Sequence, residues 1–374
     1  MHGITLIALV VTIVVLLILS SVTISAIFSD NGIIKKAQEA ANKTKEAVER
    51  EQAELNQLYN DLEDALNNSP DNTARTLVEL YDAGELKIGD YVNYQNPTSG
   101  SYTSLGSKTG MDTEITDGGD PDQIFNVANN QLTWRVLGKD EATGGIKLIA
   151  GSPMKRESNS SYPEVPYYFL NGAKGYINAE TELNNICALY KNDLAQTARS
   201  VTIEDVNQVV GVTVDETGKP SLDESGYYGQ TYSYTNQYAS PEDYLAGTRS
   251  NFSKTSDFYG YMANNPALTT ATDQRLYNLL FDNVEYGSGK AYWLASRCVS
   301  ADSSYAGFGV RYVYSDGGGP IVLGHDLFGS DGGRNNNYFA VRPVVILKSN
   351  VTEDSIHKID DQTEEEWNYE GGLD

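Results

Sequence analysis

The sequence predicts an α+β fold in which a long N-terminal helix precedes a mixed α+β head. Residues 4–28 contain no charged residue, no glycine and no proline. At about 1.5 Å per residue, this run gives a helix of roughly 37 Å, enough to cross a bilayer core of about 30 Å. Residues 30–70 are polar with a periodic apolar seam, and strand-like and helical patterns follow one another over residues 71–349.

The N-terminal run is interpreted as a membrane-inserted helix over residues 4–29. It is much longer than the apolar core of a secretory signal peptide, no lysine or arginine precedes it, and no small-residue cleavage site follows it. The segment Asp30-Asn31-Gly32 favours a break or kink after the run. An amphipathic helix is then predicted within residues 30–70.

The amphipathic helix carries its less polar side chains at a spacing of three and four residues. Such a seam must lie against another surface. Two arrangements fit it: packing on the protein's own head, or packing against neighbouring copies of the chain in a bundle. The seam residues are Ile34, Ala37, Ala41, Val48, Leu55, Leu58 and Leu62.

The head begins as a strand-like segment near Tyr81 and has the composition of a loop-rich, β-containing module. Residues 133–153 predict a β-hairpin, because two apolar runs flank a glycine-containing turn. A helix is predicted over residues 178–194, with Leu183 and Tyr190 on one face, and a short helix with a capping box starts at Thr202. Further strands are predicted at residues 292–299, 308–315, 321–328 and 338–347.

The chain is strongly acidic, with 51 aspartate and glutamate residues, 27 lysine and arginine residues, and a formal charge of −24. Nucleic acid is not expected as a partner, because binding its phosphates needs clustered lysine and arginine. The charge suits a solvent-facing body, or it only reflects a surface exposed to an extracellular medium. Residues 350–374 are predicted to form a disordered acidic tail.

The two cysteines, Cys187 and Cys298, are too few for a disulfide scaffold and form no metal-ligand cluster. Two interpretations stay open for them. If the head lies outside the cell they are a candidate disulfide, and the alternative is a pair of buried free thiols.

Catalysis has little support in the sequence. None of the three histidines lies in a recognisable catalytic frame, so we predict no enzyme activity, no catalytic residue and no cofactor. Calcium is the one ion considered, because an acidic loop offers several carboxylates and calcium takes six to eight oxygen ligands. The spacing matches no EF-hand, and a solvated loop is the alternative. These carboxylates belong to Asp112, Glu114, Asp117, Asp120 and Asp122.

Residues 227–261 are rich in tyrosine and are predicted to form a long loop. Tyrosine supplies rigid contact area with an apolar ring and a polar hydroxyl, which suits recognition of sugars or protein surfaces. The alternative is a loop held in place by its own tyrosines. The candidate ligand-binding residues are Tyr228, Tyr232, Tyr234 and Tyr238.

The N-terminus resembles the type IV pilin and pseudopilin family, in its clostridial form. Gly3 precedes Ile4 and the run ITLIALVVTIVVLLIL, in the manner of the family's processing site. The resemblance implies that residues 1–3 are a short leader cut by prepilin peptidase and that Ile4 is then methylated. It also implies helix packing into a filament of the type IV pilus or type II secretion kind. Ala8 replaces the family's usual glutamate, which favours a minor or tip subunit.

The end of the head resembles C-type-lectin-like modules. The matching segments are YWLASR at 292–297, GFGVR at 307–311 and YFAVRPVVIL at 338–347. The resemblance implies a small twisted sheet with Trp293 and Phe308 in its core. It also implies a binding module whose variable loops stand on a stable frame. The calcium-and-sugar motif of that family is not evident.

These resemblances imply a subunit of a surface filament whose head binds a carbohydrate or a surface protein in adhesion. The expected partners are other pilin subunits, prepilin peptidase, the membrane at the precursor stage and the ligand of the head. The expected location is the cell membrane, as a single-pass precursor, and then the extracellular filament at the cell surface. The alternative is a signal-anchored surface binding protein that does not polymerise.

Overall fold

The computed structural model describes residue 55 and residues 74–104, 123–157, 167–215, 218–262, 280–281, 291–315 and 319–359. The chain divides into two compact units, residues 1–72 and 73–374. Apart from residue 55, every described residue belongs to the second unit.

Short helices and many strands make up the described part of the second unit. The helices are α1 (Leu77–Asp82), α2 (Gly172–Cys187), α3 (Ile203–Val210) and α4 (Pro241–Leu245). The first strands are β1 (Tyr91–Val92), β2 (Ser101–Ser104), β3 (Gln123–Asn126), β4 (Trp134–Lys139), β5 (Ile146–Ala150), β6 (Tyr168–Asn171), β7 (Ala195–Ser200) and β8 (Thr231–Gln237). The later strands are β9 (Ser250–Thr255), β10 (Tyr261–Met262), β11 (Tyr292–Ala301), β12 (Ala306–Ser315), β13 (Pro320–Gly329), β14 (Asn336–Phe339), β15 (Pro343–Leu347) and β16 (Lys358–Ile359).

The larger sheet has six strands in the order β16-β1-β4-β5-β15-β7, and every neighbouring pair is antiparallel. Its hairpin β4–β5 confirms the hairpin predicted from the sequence. Successive side chains of a strand point to opposite faces. Val136 therefore belongs to one core cluster, while Leu137 and Ile149 belong to a second cluster. Both faces of this hairpin are buried, which explains why its two strands are apolar runs.

A second sheet has the order β10-β13-β12-β11 and contains the three longest strands. A parallel bridge between Tyr292 and Ala340 connects β11 to the segment before β15. Beside this bridge, Trp293 is fully buried and its Nε1 donates a hydrogen bond to the carbonyl of Tyr168, at 2.8 Å. The Trp293 ring also meets Phe339 edge to face, with centroids 4.7 Å apart. Trp293 therefore occupies the core position that the sequence predicted.

The longest described helix, α2, packs against β7 and β11. Its buried side chains include Ala179, Leu183 and Ile186, a spacing of four and three that presents one face to the core. The helix begins directly after β6 at Gly172, whose φ of 61° is accessible to glycine without steric cost. It starts earlier than the sequence pattern predicted, because its first turn is not marked by large apolar residues.

The capping box predicted for α3 is confirmed. The Thr202 hydroxyl accepts from the Asp205 backbone N–H, and the Asp205 carboxylate accepts from the Thr202 N–H at 3.0 Å. Gly211, in the left-handed region, ends the helix. The same carboxylate pairs with Arg199 and Lys147, so one buried group joins α3 to β7 and β5.

The strands predicted near the end of the head are confirmed, but the predicted strand 338–347 is divided between two sheets. Its first part, β14, pairs with β6, and its second part, β15, joins the larger sheet. Arg342 lies at the junction and is fully buried. Its Nε donates to the carbonyl of Ala150 at 3.0 Å, and its guanidinium lies 5.0 Å from the centroid of the Tyr292 ring. Arg342 is therefore held by hydrogen bonding and ring stacking.

The start of the predicted acidic tail contributes to the second unit. Ile356 is fully buried in the first core cluster. Residue Ile359 of β16 pairs with Tyr91 of β1, and Asn93 Nδ2 lies 3.0 Å from His357 Nδ1. Residues 360–374 lie outside the described residues.

The predicted fold class is wrong for the part of the chain that the structure describes. That part is dominated by antiparallel strands, and its longest helix, α2, has only 16 residues. In these ranges the apolar side chains mostly recur at a period of two or as buried runs, which favours strands. A helical stalk carrying a mixed head therefore does not describe this fold. No helix within the described ranges combines the length and apolar character needed to cross a membrane.

The predicted processing and assembly residues lie almost wholly outside the described residues. These include Gly3, Ile4, Ala8 and the seam residues Ile34, Ala37, Ala41, Val48, Leu58 and Leu62. Leu55 is the exception: it is helical and 65% exposed. Within the described part of the chain, Leu55 therefore does not show the packing that the predicted seam requires.

Candidate ligand-binding cleft

A cleft of about 420 Å³ opens between α2, α4 and the strands β9, β11 and β12. The buried side chains of its lining are apolar, namely Pro241, Val299 and Phe308. The other lining side chains are mainly charged or polar. The charged ones are Glu180, Glu242, Lys254, Asp257 and Arg297.

Side chains from α2 and from the second sheet form one side of the cleft. Tyr176 and Glu180 are four residues apart on α2 and so share a face of the helix. Arg297 and Val299 are two residues apart on β11 and so share a face of that strand. Phe308 lies opposite Val299 in the register of β11 and β12. The regular periods of helix and strand thus direct these five side chains into one place.

The hairpin β8–β9 and helix α4 form the other side. Lys254 and Phe252 occupy alternate, partly buried positions on β9, while their neighbours are exposed. Ser240 caps the N-terminus of α4, since its hydroxyl accepts from the Asp243 N–H at 3.1 Å. This cap places Glu242 in the first turn of the helix, where a carboxylate is favourable and where it is exposed to solvent.

Two cations of the cleft lie over aromatic rings. The Arg297 guanidinium is 5.2 Å from the centroid of Tyr176, and its Nε is 3.4 Å from Glu180 Oε1. The Lys254 ammonium is 5.2 Å from the centroid of Phe308. Burial raises the pKa of Tyr176, so its hydroxyl is neutral and able to donate at physiological pH. The cleft therefore has oriented donors and acceptors before any ligand enters.

The chemistry available in the cleft is hydrogen bonding combined with limited apolar contact. Guanidinium, ammonium and phenol groups donate, and the carboxylates accept. Within the described ranges, histidine, cysteine, aspartate and glutamate form no group of three that could hold a metal ion. The predicted calcium loop, with Asp112, Glu114, Asp117, Asp120 and Asp122, lies outside the described residues.

The tyrosine-rich segment contains β8, α4 and β9 rather than the predicted long loop. Tyr234 is 4% exposed, and its hydroxyl donates to the carbonyls of Asp302 at 2.8 Å and Tyr305 at 3.1 Å. The Tyr228 hydroxyl donates to the carbonyl of Gly218 at 2.7 Å. Both hydroxyls therefore hold the segment against the rest of the protein.

Tyr232 and Tyr238 are partly exposed. The Tyr232 hydroxyl donates to Gln230 Oε1 at 3.0 Å, and its ring packs beside the third core cluster. The Tyr238 ring meets Tyr244 edge to face, and the Arg249 guanidinium lies 4.2 Å from its centroid. Contact of these two tyrosines with a ligand stays a prediction.

Cys187 and Cys298 are both free thiols and both are fully buried. Burial raises the pKa of both thiols, that of Cys298 to about 12. Since the thiolate is the reactive form, we expect neither cysteine to react with iodoacetamide in the native protein and both to react after unfolding without reductant. Mass spectrometry counts the labelled thiols. Unfolded, unreduced protein that takes up no label would contradict this expectation and would indicate a disulfide.

Most cleft residues carry no recognisable signal in the sequence. Glu180, Lys254 and Glu242 resemble the many other charged residues of the chain. They are also far apart along it, so only the folding of the sheets brings them together. The one signal close to the cleft is the tyrosine-rich segment, which supplies its hairpin wall through β9 and α4.

The fold and the cleft together define a β-rich protein with a small cleft of mixed apolar and charged lining. No family model matches the chain, and neither a curated protein nor a solved structure matches it. Together with the β-rich architecture, this overturns the identification as a type IV pilin or pseudopilin with a C-type-lectin-like head. The associated pilin and transmembrane features are corrected with it for the described residues, whose helices are too short or too polar to cross a membrane, while the predicted span over residues 4–29 lies outside them. An apolar run after a glycine, or a buried strand ending in Arg-Pro, is a short local pattern that does not specify a whole fold.

Proposed function

We propose that this protein binds carbohydrate in the cleft between α2 and the β8–β9 hairpin. The observation that carries the proposal is the mixed lining of the cleft. An apolar base meets a rim of charged hydrogen-bonding groups, and the volume of about 420 Å³ lies within the range of small-ligand sites. A sugar ring has matching parts, since its C–H faces are apolar and its edges carry hydroxyl groups.

The existing interactions in the cleft support a neutral, hydroxyl-rich ligand. Arg297 and Glu180 are each more than a third exposed, so their ion pair adds little stability but holds both groups in place. A sugar hydroxyl donates and accepts at once, so it can bridge such a pair without bringing a charge into the cleft. Groups that are already oriented lose less conformational entropy on binding, which favours affinity.

The proposal is for binding without catalysis, and for a protein that acts outside the cell. The formal charge of −24 keeps the surface solvated and self-repelling, which suits an extracellular binding protein. Carbohydrate is favoured over a protein surface as the ligand because the cleft is small and enclosed on two sides, whereas a protein partner would bury a wider area.

A glycan array probed with the full-length protein tests the proposal. We expect retention of a group of related glycans that share one terminal or internal sugar. Calorimetry with the best of these glycans should then give one site for each chain. An array with no retained glycan would contradict the proposal.

Two cleft variants locate the site. We expect Lys254→Met and Glu242→Gln each to weaken glycan affinity about tenfold, equal to about 1.4 kcal/mol, because the first removes a charged donor and the second replaces a charged acceptor by a neutral amide. Lys139→Met is the matched control, since Lys139 pairs with Asp82 outside the cleft. Calorimetry measures all three affinities. Unchanged affinity in both cleft variants would place the ligand elsewhere.

A further inference from the structure

The β8–β9 hairpin turns one face toward the protein and the other toward solvent. Its inward face includes Tyr234, which belongs to the third core cluster. The alternate positions of both strands are exposed and carry small polar side chains. Two cross-strand pairs of hydroxyl oxygens on this outer face lie 2.7 Å apart, Thr231 with Thr255 and Ser233 with Ser253.

The hydrogen bonds of the hairpin fix which backbone groups of β8 point away from β9. In an antiparallel strand, the N–H and C=O of one residue point to one edge and those of the next residue to the other edge. The carbonyl of Gln230 accepts from the Ser256 N–H at 2.8 Å, and the Asn236 N–H donates to Asn251 Oδ1 at 3.0 Å. The even-numbered residues of β8 therefore point toward β9. The residues that point to the outer edge are Thr231, Ser233 and Thr235.

This outer edge of β8 is open within the described part of the chain. β8 and β9 form a two-stranded sheet, and among the described strands none pairs with the other side of β8. Thr231, Ser233 and Thr235 are all exposed to solvent. β9, in contrast, leads directly to β11, because the Asp257 and Phe258 N–H groups that follow it both donate to the same carbonyl of β11. An exposed strand edge with unpaired N–H and C=O groups is a template for a further strand.

The usual means of blocking a strand edge are missing from residues 231–235. Soluble proteins protect such edges with proline, with charged residues or with a bulge. These five positions contain neither proline nor a charged residue, and the register shift of the hairpin comes after Tyr234. The threonines and tyrosines also favour an extended strand. This edge is therefore suited to pairing with another strand.

The charge of the hairpin favours a partner that is itself acidic. The chain has 51 acidic residues and a formal charge of −24, yet β8 has no charged residue and β9 has only Lys254. Two copies of such a chain repel one another over most of their surfaces. The repulsion is weakest where the opposed surfaces carry no charge, so this edge is a favourable place for two copies to meet.

The sequence of the edge is the same in both directions. Residues 231–235 read TYSYT. If two such segments pair antiparallel about a two-fold axis at Ser233, threonine lies opposite threonine and tyrosine opposite tyrosine. A two-fold interface brings the same patch of both subunits together, so the patch must be complementary to itself. Cross-strand threonine pairs and aromatic pairs also stabilise antiparallel strands.

From the open edge, its neutral charge and its symmetric sequence, we propose that two copies of the chain associate through antiparallel pairing of their β8 strands. Thr231 of one copy pairs with Thr235 of the other, and Ser233 pairs with its own counterpart. The two hairpins then form one continuous sheet. The proposal does not rest on carbohydrate binding, because Lys254, the β9 residue that lines the cleft, lies on the opposite face from the exposed hydroxyls.

Sedimentation velocity of the full-length protein over a series of concentrations tests the association. Pairing of two short edges buries little surface, so we expect a weak dimer with a dissociation constant on the order of 100 μM. Sodium chloride should strengthen the dimer, because it screens the repulsion between two acidic copies. A protein that stays monomeric well above this concentration, at low and at high salt, would overturn the proposal and leave that for the cleft intact.

Two proline variants decide whether the copies meet at this edge. Ser233→Pro removes the central N–H of the edge, which the hairpin does not use, and edge strands tolerate proline. We expect it to weaken dimerisation at least tenfold. Ser253→Pro is the matched control, because it removes the same Ser233–Ser253 hydroxyl pair and an outward N–H of β9, and it should dimerise as the unmodified protein does. Circular dichroism checks that both variants fold.

Amide hydrogen exchange gives a second measurement that needs no substitution. The N–H groups of Thr231, Ser233 and Thr235 should exchange more slowly as the protein concentration rises, because pairing protects them from water. Dimerisation that survives Ser233→Pro, or that leaves the exchange of these three amides unchanged, would overturn the proposal, since the copies would then meet at another surface.

Discussion

Replacing Asp205 with alanine is expected to destabilise the protein by about 3–5 kcal/mol. The carboxylate is only 2% exposed and accepts from both terminal nitrogens of Arg199, at 2.5 and 2.9 Å. Lys147 Nζ lies 3.3 Å from the same group. Its removal leaves a buried lysine and a largely buried arginine without their counter-charge, and α3 loses its capping box. Urea unfolding at neutral pH measures the loss.

The destabilisation caused by Asp205→Ala should become smaller as the pH falls. Burial alone would raise the pKa of Asp205, but the hydrogen bonds and charge of Arg199 outweigh burial and hold that pKa below its ordinary value. A lowered folded-state pKa stabilises the fold above the unfolded pKa, and this contribution is lost as the pH falls through the folded pKa. The difference between native protein and Asp205→Ala should therefore shrink below about pH 4.

The exposed neighbour in the same first turn is the control for this experiment. Glu204→Ala removes a carboxylate near the same helix end, but Glu204 is exposed to solvent. We expect a loss of about 0.5 kcal/mol or less, as for other surface substitutions. An equal loss for Glu204→Ala and Asp205→Ala would show that helix-end charge, and not the buried ion pairs, accounts for the effect.

Replacing Asp326 with asparagine is expected to stabilise the protein by about 2–3 kcal/mol at pH 7. The carboxyl accepts from Ser300 Oγ at 3.1 and 3.2 Å and lies over Gly307, where a Cβ would come within 2.0 Å of it. Burial, reinforced by the charge of Asp302, raises the pKa of Asp326 to about 6. An unfolded aspartate has a pKa of about 3.9, so the folded protein bears a cost when this group ionises.

The sign of the pH dependence follows from this raised pKa. The stability associated with Asp326 is complete below about pH 4, falls as the pH rises, and is lost above about pH 6. Asp326→Asn should remove this loss of stability, so the stabilities of the variant and the unmodified protein should diverge between about pH 4 and about pH 6. Thermal unfolding at a series of pH values measures the difference. Asp193→Asn, at an exposed site, is the control; an equal gain from that variant would attribute the effect to net charge instead.

Several elements were predictable because their signals are local. The hairpin β4–β5 is marked by two apolar runs around a turn, and α3 is marked by the reciprocal cap of Thr202 and Asp205. Both signals depend on residues within a few positions of one another. The strands β11, β12 and β13 were predictable for the same reason, since β11 and β12 are buried runs, β13 has buried residues near both ends, and turn residues bound all three.

The fold class was not predictable from the same patterns. The prediction gave most weight to the apolar run at residues 4–28 and to the seam that follows it, whereas the described part of the chain is a set of antiparallel sheets. Strand pairing is non-local: β15, for example, lies between β5 and β7, although about 140 to 200 residues of chain separate it from them. The pattern within a strand does not show which partner it will have.

The candidate site likewise shows that local patterns in the sequence do not reveal which distant residues meet. The tyrosine-rich segment was predicted to bind a ligand, yet the hydroxyls of Tyr234 and Tyr228 are engaged internally. The cleft instead combines side chains of α2, β9 and β11 that no spacing in the sequence connects. Their contact follows from the packing of the helix and hairpin on one face of the second sheet.

The sequence by itself determined the acidic character of the protein, the caps and turns, and the buried strands, because these depend on composition and on neighbouring residues. Only the tertiary structure decided the order of the strands and the lining of the cleft. It also decided that Asp205 is paired with cations whereas Asp326 is held without one. The physical reason is that burial and charge pairing depend on distances between residues far apart in the chain, which folding alone brings close.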